Sequence, residues 1–65
     1  MTREEFKQKW EANEYGSGIT YPDIAQCARE WGVYKRPEIA PMGNVIYAVL
    51  LAAGCADAEN YNPDE

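Results

Sequence analysis

Apolar residues recur along the chain with the spacing of α-helices, and they do so in three separate segments. In the first segment, Phe6 and Trp10 stand four positions apart and therefore share one face of a helix. In the other two, the apolar positions repeat at i, i+3, i+4 and i+7, which is the stripe of an amphipathic helix. The stripe of the third segment, which we expect to face the core, consists of Met42, Val45, Ile46, Val49, Leu50 and Ala53. The pattern predicts helices at about residues 3–13, 21–31 and 42–53.

Residues that favour helix ends flank these stripes. Thr2 and Glu5 have the spacing of a capping box, in which each side chain receives a hydrogen bond from the other residue's backbone amide. Thr20 precedes a proline and an aspartate, a combination typical of a first helical turn. Gly32 and Gly54 follow the second and third stripes, where glycine commonly ends a helix.

Two prolines restrict the segment between the second and third helices. Pro37 and Pro41 each push the preceding residue out of helical geometry. We therefore expect residues 33–40 to form an irregular connector, with Ile39 turned inward as its anchor.

The C-terminal part predicts one more short element. Residues 56–61 form a short helical turn, Tyr61 folds back onto the bundle, and residues 62–65 form a frayed tail. The fold class is therefore all-α, a compact three-helix bundle in which residues 1–65 make a single domain. Its expected core is Phe6, Trp10, Ile24, Ala28, Trp31, Ile39, Val45, Ile46, Val49 and Leu50.

Composition limits how a chain of 65 residues gains stability. A domain of this size buries only about 60% of the surface that its unfolded chain exposes. Two cysteines are too few for a disulfide-rich scaffold, and the absence of histidine disfavours a structural zinc site. Eight aromatic residues favour aromatic packing and self-association. We expect a buried thiol at Cys27, an exposed one at Cys55, and no cofactor or metal.

The distribution of apolar residues does not predict a membrane protein. The longest apolar-rich run, Val45 to Ala53, is half the ~20 residues that span a bilayer. The charged, amphipathic residues near the start do not fit a secretory signal. A cytoplasmic protein with reduced thiols is the expectation.

The net charge of −5 is concentrated in the C-terminal part. Residues 37–65 contain five acids and no base. Since nucleic-acid affinity arises largely from basic residues that neutralise phosphates, this charge favours a partner with a basic surface instead.

No motif predicts catalysis. Gly16 and Gly18 flank Ser17, but neither the Lys-Ser/Thr ending of a P-loop nor the third glycine of a dinucleotide-binding loop follows. The acids lie at termini and helix starts, where capping explains them. A cysteine nucleophile needs an activating base, normally histidine, and the chain has none. The protein is therefore predicted not to be an enzyme.

Residues 21–33 read Tyr-Pro-Asp-Ile-Ala-Gln-Cys-Ala-Arg-Glu-Trp-Gly-Val. The Ile-Ala pair, the small residue three positions later and the Gly-Val turn resemble the first helix and turn of helix-turn-helix proteins. The resemblance implies nucleic-acid binding, but about eight residues with two prolines separate this turn from the next helix, instead of three or four. Among that helix's outer residues, only Asn44 suits base reading. This alternative function, nucleic-acid or nucleotide binding, uses Arg29, Tyr34, Lys35 and Arg36.

The third helix is apolar nearly all round, which is typical of a helix buried on more than one side. In so small a protein, the second side is predicted to contact another protein, with a second copy of the chain as one candidate. The alternative is that the first helix or the C-terminal turn covers this side. The leading hypothesis is a small acidic protein-protein interaction module that acts as an inhibitor or adaptor. Its size and charge balance resemble those of phage or mobile-element inhibitors. The predicted partner-binding residues are Tyr47, Leu51, Asp57, Glu59 and Tyr61.

Overall fold

The computed structural model describes residues 1–13 and 18–61. Its α-helices are α1 (Arg3–Ala12), α2 (Tyr21–Glu30) and α3 (Met42–Ala53). Two 3₁₀ helices complete it: the connector turn (Pro37–Ile39) and the C-terminal 3₁₀ helix (Ala56–Tyr61). The all-α prediction is confirmed, and α1 and α2 each end one residue earlier than expected. Gly16, Ser17 and the predicted tail at 62–65 lie outside the described residues.

The capping box at the start of α1 forms as predicted. The Glu5 amide donates to Thr2 Oγ1 and the Thr2 amide donates to Glu5 Oε1, both at 3.1 Å. The hydrogen bond from the Thr2 amide to the Glu5 carboxylate is the main cause that holds the pKa of Glu5 below its ordinary value. The first helix is thus fixed by residues local to its own start.

Two glycines end helices in the left-handed region that other residues rarely adopt. Gly32 has φ 73° and follows α2, and Gly54 has φ 80° and caps α3. The Gly54 amide donates to the carbonyls at the end of α3, which would otherwise lack partners. Both glycines thus act as the helix stops that the sequence predicts.

The core lies where α1 and α2 pack against α3. The Phe6 ring lies between two tryptophans, stacked 5.9 Å from Trp10 and edge-on 5.6 Å from Trp31. Trp31 is only partly buried because its indole Nε1 reaches outward and donates to the Met1 carbonyl at 3.2 Å. The fully or nearly fully buried residues around this aromatic cluster are Ile24, Cys27, Ala28, Val45, Val49, Leu50, Cys55 and Ala58.

The prediction that Ile39 anchors the connector is wrong. Ile39 is 72% exposed, and Pro37 is the fully buried residue of this segment. Tyr21 Oη donates to the Pro37 carbonyl at 3.5 Å, and the Ala40 amide closes the turn on the same carbonyl. Proline suits this position because its ring is apolar and it has no amide hydrogen that burial would leave unpaired.

Two further expectations about exposure are corrected, and one is refined. Cys55 is buried, at 5% exposure, because the C-terminal 3₁₀ helix folds over the end of α3. Met42, at the first position of α3, is 59% exposed because it lies at the edge of the core. Ile46 packs against the core but is only partly buried. None of the described helices is long and apolar enough to cross a membrane.

Candidate protein-binding surfaces

The outer face of α3 is formed by Asn44, Tyr47, Ala48 and Leu51. Leu51 is 59% exposed, and the other three are half-buried. Asn44, Ala48 and Leu51 follow i, i+4 and i+7 spacing, so they form one ridge along the helix. The ridge ends in an apolar side chain that faces solvent.

The acidic residue Asp57 supports the fold. Trp10 Nε1 donates to Asp57 Oδ2 at 2.8 Å, in a partly buried hydrogen bond between residues 47 positions apart. Tyr61 meets the same indole edge-on at 6.2 Å, as the prediction that it folds back requires. Two of the five predicted partner-binding residues therefore fasten the C-terminal 3₁₀ helix to α1. The signal in the sequence was Trp10 itself, because a buried indole N–H needs an acceptor.

Glu59 has a different environment from Asp57. It is exposed on the C-terminal 3₁₀ helix, and no hydrogen bond or ion pair engages its carboxylate among residues 1–13 and 18–61. Its charge adds to that of the base-free part of the chain, residues 37–65. Glu59 is therefore the described acid of this region best placed to meet a basic partner.

One residue of the predicted anion-binding cluster, Arg29, is engaged in an ion pair. Arg29 Nη1 lies 3.1 Å from Glu38 Oε2, with both side chains about half exposed. Tyr34 is half-buried against the core, so its ring is not a free stacking platform. Lys35 and Arg36 are exposed and form no ion pair within the described part of the chain. Of the four residues predicted to bind an anion, these two keep their charge available to a ligand.

The arrangement of α2 and α3 differs from that of a helix-turn-helix. Eleven residues, 31–41, separate the end of α2 from the start of α3. The turn of a DNA-binding helix-turn-helix has three or four residues, and its second helix carries the groups that meet base edges. Helix α3 contains no charged residue. The resemblance of residues 21–33 therefore does not extend to a recognition helix.

Both thiols are free and buried. Burial is the main cause that raises the pKa of Cys27 and of Cys55 above the ordinary thiol value. Cys27 borders a cavity of about 160 Å³ beside Met1, Asp23, Gln26 and Glu30, where the two carboxylates also raise its pKa. These thiols are held in the unreactive, protonated form. Within residues 1–13 and 18–61, no three potential metal-ligating side chains converge.

We expect both cysteines to resist thiol reagents until the protein unfolds, and stability to fall at alkaline pH. The unfolded chain loses its thiol protons near pH ~8.5, whereas the folded chain keeps them to higher pH. The thiol contribution to stability is therefore intact below that pH and declines above it. Urea midpoints at neutral and alkaline pH measure the effect. The double variant Cys27→Ala/Cys55→Ala is the control, and an equally steep decline in this variant would assign the pH dependence to other groups.

Comparison with known protein families, curated proteins and solved structures finds no significant match to the chain.

Proposed function

We propose that the protein is a protein-protein interaction module that binds its partner through the outer face of α3 and uses the acidic C-terminal part for charge complementarity. The observation that carries this proposal is the 59% exposure of Leu51 on a helix without a charged residue. An exposed leucine on its own is ordinary. Here, however, it ends a ridge whose other members are small or amphipathic.

The side of α3 opposite the ridge is fixed in the core. Val45, Val49 and Leu50, on the opposite side of α3, are fully buried. Binding therefore does not have to order the helix, and the entropy cost of association is reduced accordingly. A rigid, uncharged ridge with Leu51 as its exposed apolar anchor suits a partner that offers an apolar groove.

The charge of the C-terminal part indicates which groups of the partner surround that groove. Residues 37–65 contain five acids and no base, and Glu59 among them is exposed. A partner with a basic rim gains both faster association and specificity from such a surface. In this arrangement the module acts as an inhibitor or adaptor, and an inhibitor of this kind places carboxylates where a basic partner would otherwise hold phosphates. A second copy of the chain is the alternative partner.

The test compares two substitutions that change charge equally. Leu51→Asp places a carboxylate on the ridge, and Gln8→Asp places one on the exposed side of α1. Tagged wild-type and variant proteins are used for quantitative affinity purification, and light scattering measures self-association. We expect Leu51→Asp to weaken partner recovery, or dimer formation, by ~10-fold or more because a central apolar anchor is lost. Gln8→Asp should behave as wild type.

Two results would count against this function. In the first, the wild type and Leu51→Asp recover the same proteins, and light scattering shows that the wild type is a monomer. The other is salt-sensitive binding of duplex DNA that disappears when Lys35 and Arg36 become alanine, which would favour the nucleic-acid alternative.

A further inference from the structure

Two large apolar side chains are exposed where the connector joins α3. Ile39 is 72% exposed and Met42 is 59% exposed. They are two of the four exposed large apolar residues within the described ranges, and only three positions separate them. Their Cα atoms are therefore at most about 11 Å apart, within the reach of one docked segment. We call this pair the apolar patch, and it is separate from the outer face of α3.

The backbone that presents the patch is fixed. Pro37, two positions before Ile39, is fully buried, and the amide of Ile39 donates to the Arg36 carbonyl at 3.2 Å. On the other side, the Pro41 carbonyl accepts from the Asn44 and Val45 amides and joins the connector to α3. An apolar side chain exposed on a fixed backbone is preorganised for contact, because little further ordering is needed when a partner binds.

The unpaired charge that precedes the patch in the chain is positive, whereas residues 37–65 contain no base. The Arg36-to-Ile39 hydrogen bond makes these two residues the ends of one turn. Lys35 and Arg36 are exposed and have no ion-pair partner in the described structure. Glu38, the acid of this segment, is already paired with Arg29. A partner that approaches Ile39 therefore meets unpaired cations.

We propose that residues 35–42 form a second docking surface, which binds an acidic segment of a protein partner through one apolar anchor. The apolar side chain of that segment packs on Ile39 and Met42, and its carboxylates pair with Lys35 and Arg36. Two cations match a short acidic segment better than a nucleic-acid backbone or an anionic membrane, since both of those attract proteins through larger basic clusters.

The second surface goes beyond the proposed function because it is separate from the first. Met42 and Leu51 are nine positions apart on α3, which is about 13 Å along the axis and two and a half turns around it. They therefore project from opposite sides of the helix. A module with an uncharged ridge on one side of α3 and an apolar patch beside two cations on the other is able to hold two partners at once, as an adaptor does.

Selection from a random-peptide phage library tests this surface and requires no assumption about the sequence of the partner. The bait is the folded wild-type chain, and each selected peptide is synthesised and its affinity measured by fluorescence anisotropy. We expect peptides rich in Asp and Glu with at least one large apolar residue. Their affinity should fall ~10-fold or more for Ile39→Ser/Met42→Ser and for Lys35→Glu/Arg36→Glu. All four positions are exposed, so both variants should fold, which circular dichroism and melting temperature verify.

The Leu51→Asp variant keeps this test distinct from that of the proposed function. It should bind the acidic peptides like the wild type, even if it loses the partner of the α3 ridge. The second surface is overturned if the selected peptides lack acidic residues, if they bind the connector variants as tightly as the wild type, or if selection enriches no peptide. Tight binding of duplex DNA or anionic vesicles that depends on Lys35 and Arg36 would also overturn it, since the ligand of this surface would then be a phosphate-bearing molecule and not an acidic peptide segment.

Discussion

Leu50→Ala should destabilise the protein by about 2–5 kcal/mol, because it removes a fully buried side chain and leaves a cavity in a close-packed core. A domain of this length has a total stability of only about 3–10 kcal/mol, at roughly 0.05–0.15 kcal/mol per residue. This one substitution is therefore expected to leave the protein near its unfolding threshold. Urea denaturation followed by tryptophan fluorescence measures the loss.

The neighbouring residue supplies the matched control. Leu51→Ala removes the same atoms from the same helix, but the side chain is 59% exposed. Its effect on stability should lie within about 0.5 kcal/mol of zero, as for ordinary surface substitutions. Equal destabilisation by the two variants would mean that α3 is buried on both sides in solution, and self-association through Leu51 would then be the first explanation to test.

Asp57→Ala should lower the free energy of unfolding by about 1–3 kcal/mol, because the Trp10 indole N–H, whose hydrogen bond is partly buried, then lacks its charged acceptor. The C-terminal 3₁₀ helix should loosen with it, since Tyr61 packs on the same indole. Hydrogen exchange would report this as faster exchange in residues 56–61 than in α2. Asp57→Asn retains an acceptor oxygen without the charge and should fall between alanine and wild type.

Glu59→Ala is the control for Asp57→Ala. It also removes one acid from the C-terminal 3₁₀ helix, but Glu59 is exposed and engages no described partner. Its stability should remain close to that of the wild type. If the two alanine variants lost equal stability, the cause would be the charge of the segment and not the hydrogen bond to Trp10.

The helices were predictable because their signals are local. Apolar spacing, the Thr2 capping box and the glycines after α2 and α3 all concern residues within one or two helical turns of each other. The central residues of α3 follow from the same spacing, since a regular stripe identifies the buried face whatever packs against it.

The predictions were wrong where burial or a side-chain role depends on contacts between residues that are distant in the sequence. Whether Pro37 or Ile39 enters the core depends on how the connector meets Tyr21 on α2, and no pattern in the connector itself determines that. Cys55 is buried by an element that follows it and folds back. The role of Asp57 depends on Trp10, 47 positions earlier, so local reasoning assigned its carboxylate to helix capping and to a partner-binding surface.

The candidate surfaces were predicted unevenly for the same reason. The outer side of α3 follows directly from helical geometry, so Leu51 was identified from the sequence. The exposed pair at Ile39 and Met42 was missed because both residues had been assigned to the interior. A surface of this kind can be identified only after the structure shows which apolar residues remain outside the core.

The hydrogen bond between Trp10 and Asp57 also constrains how the protein matures during synthesis. Trp10 is synthesised 47 positions before Asp57, so its indole obtains this acceptor only after the ribosome has added Asp57 and that segment has left the exit tunnel. A nascent chain that stops short of Asp57 lacks the hydrogen bond between α1 and the C-terminal 3₁₀ helix, so this contact can form only at a late stage of the synthesis of the described residues.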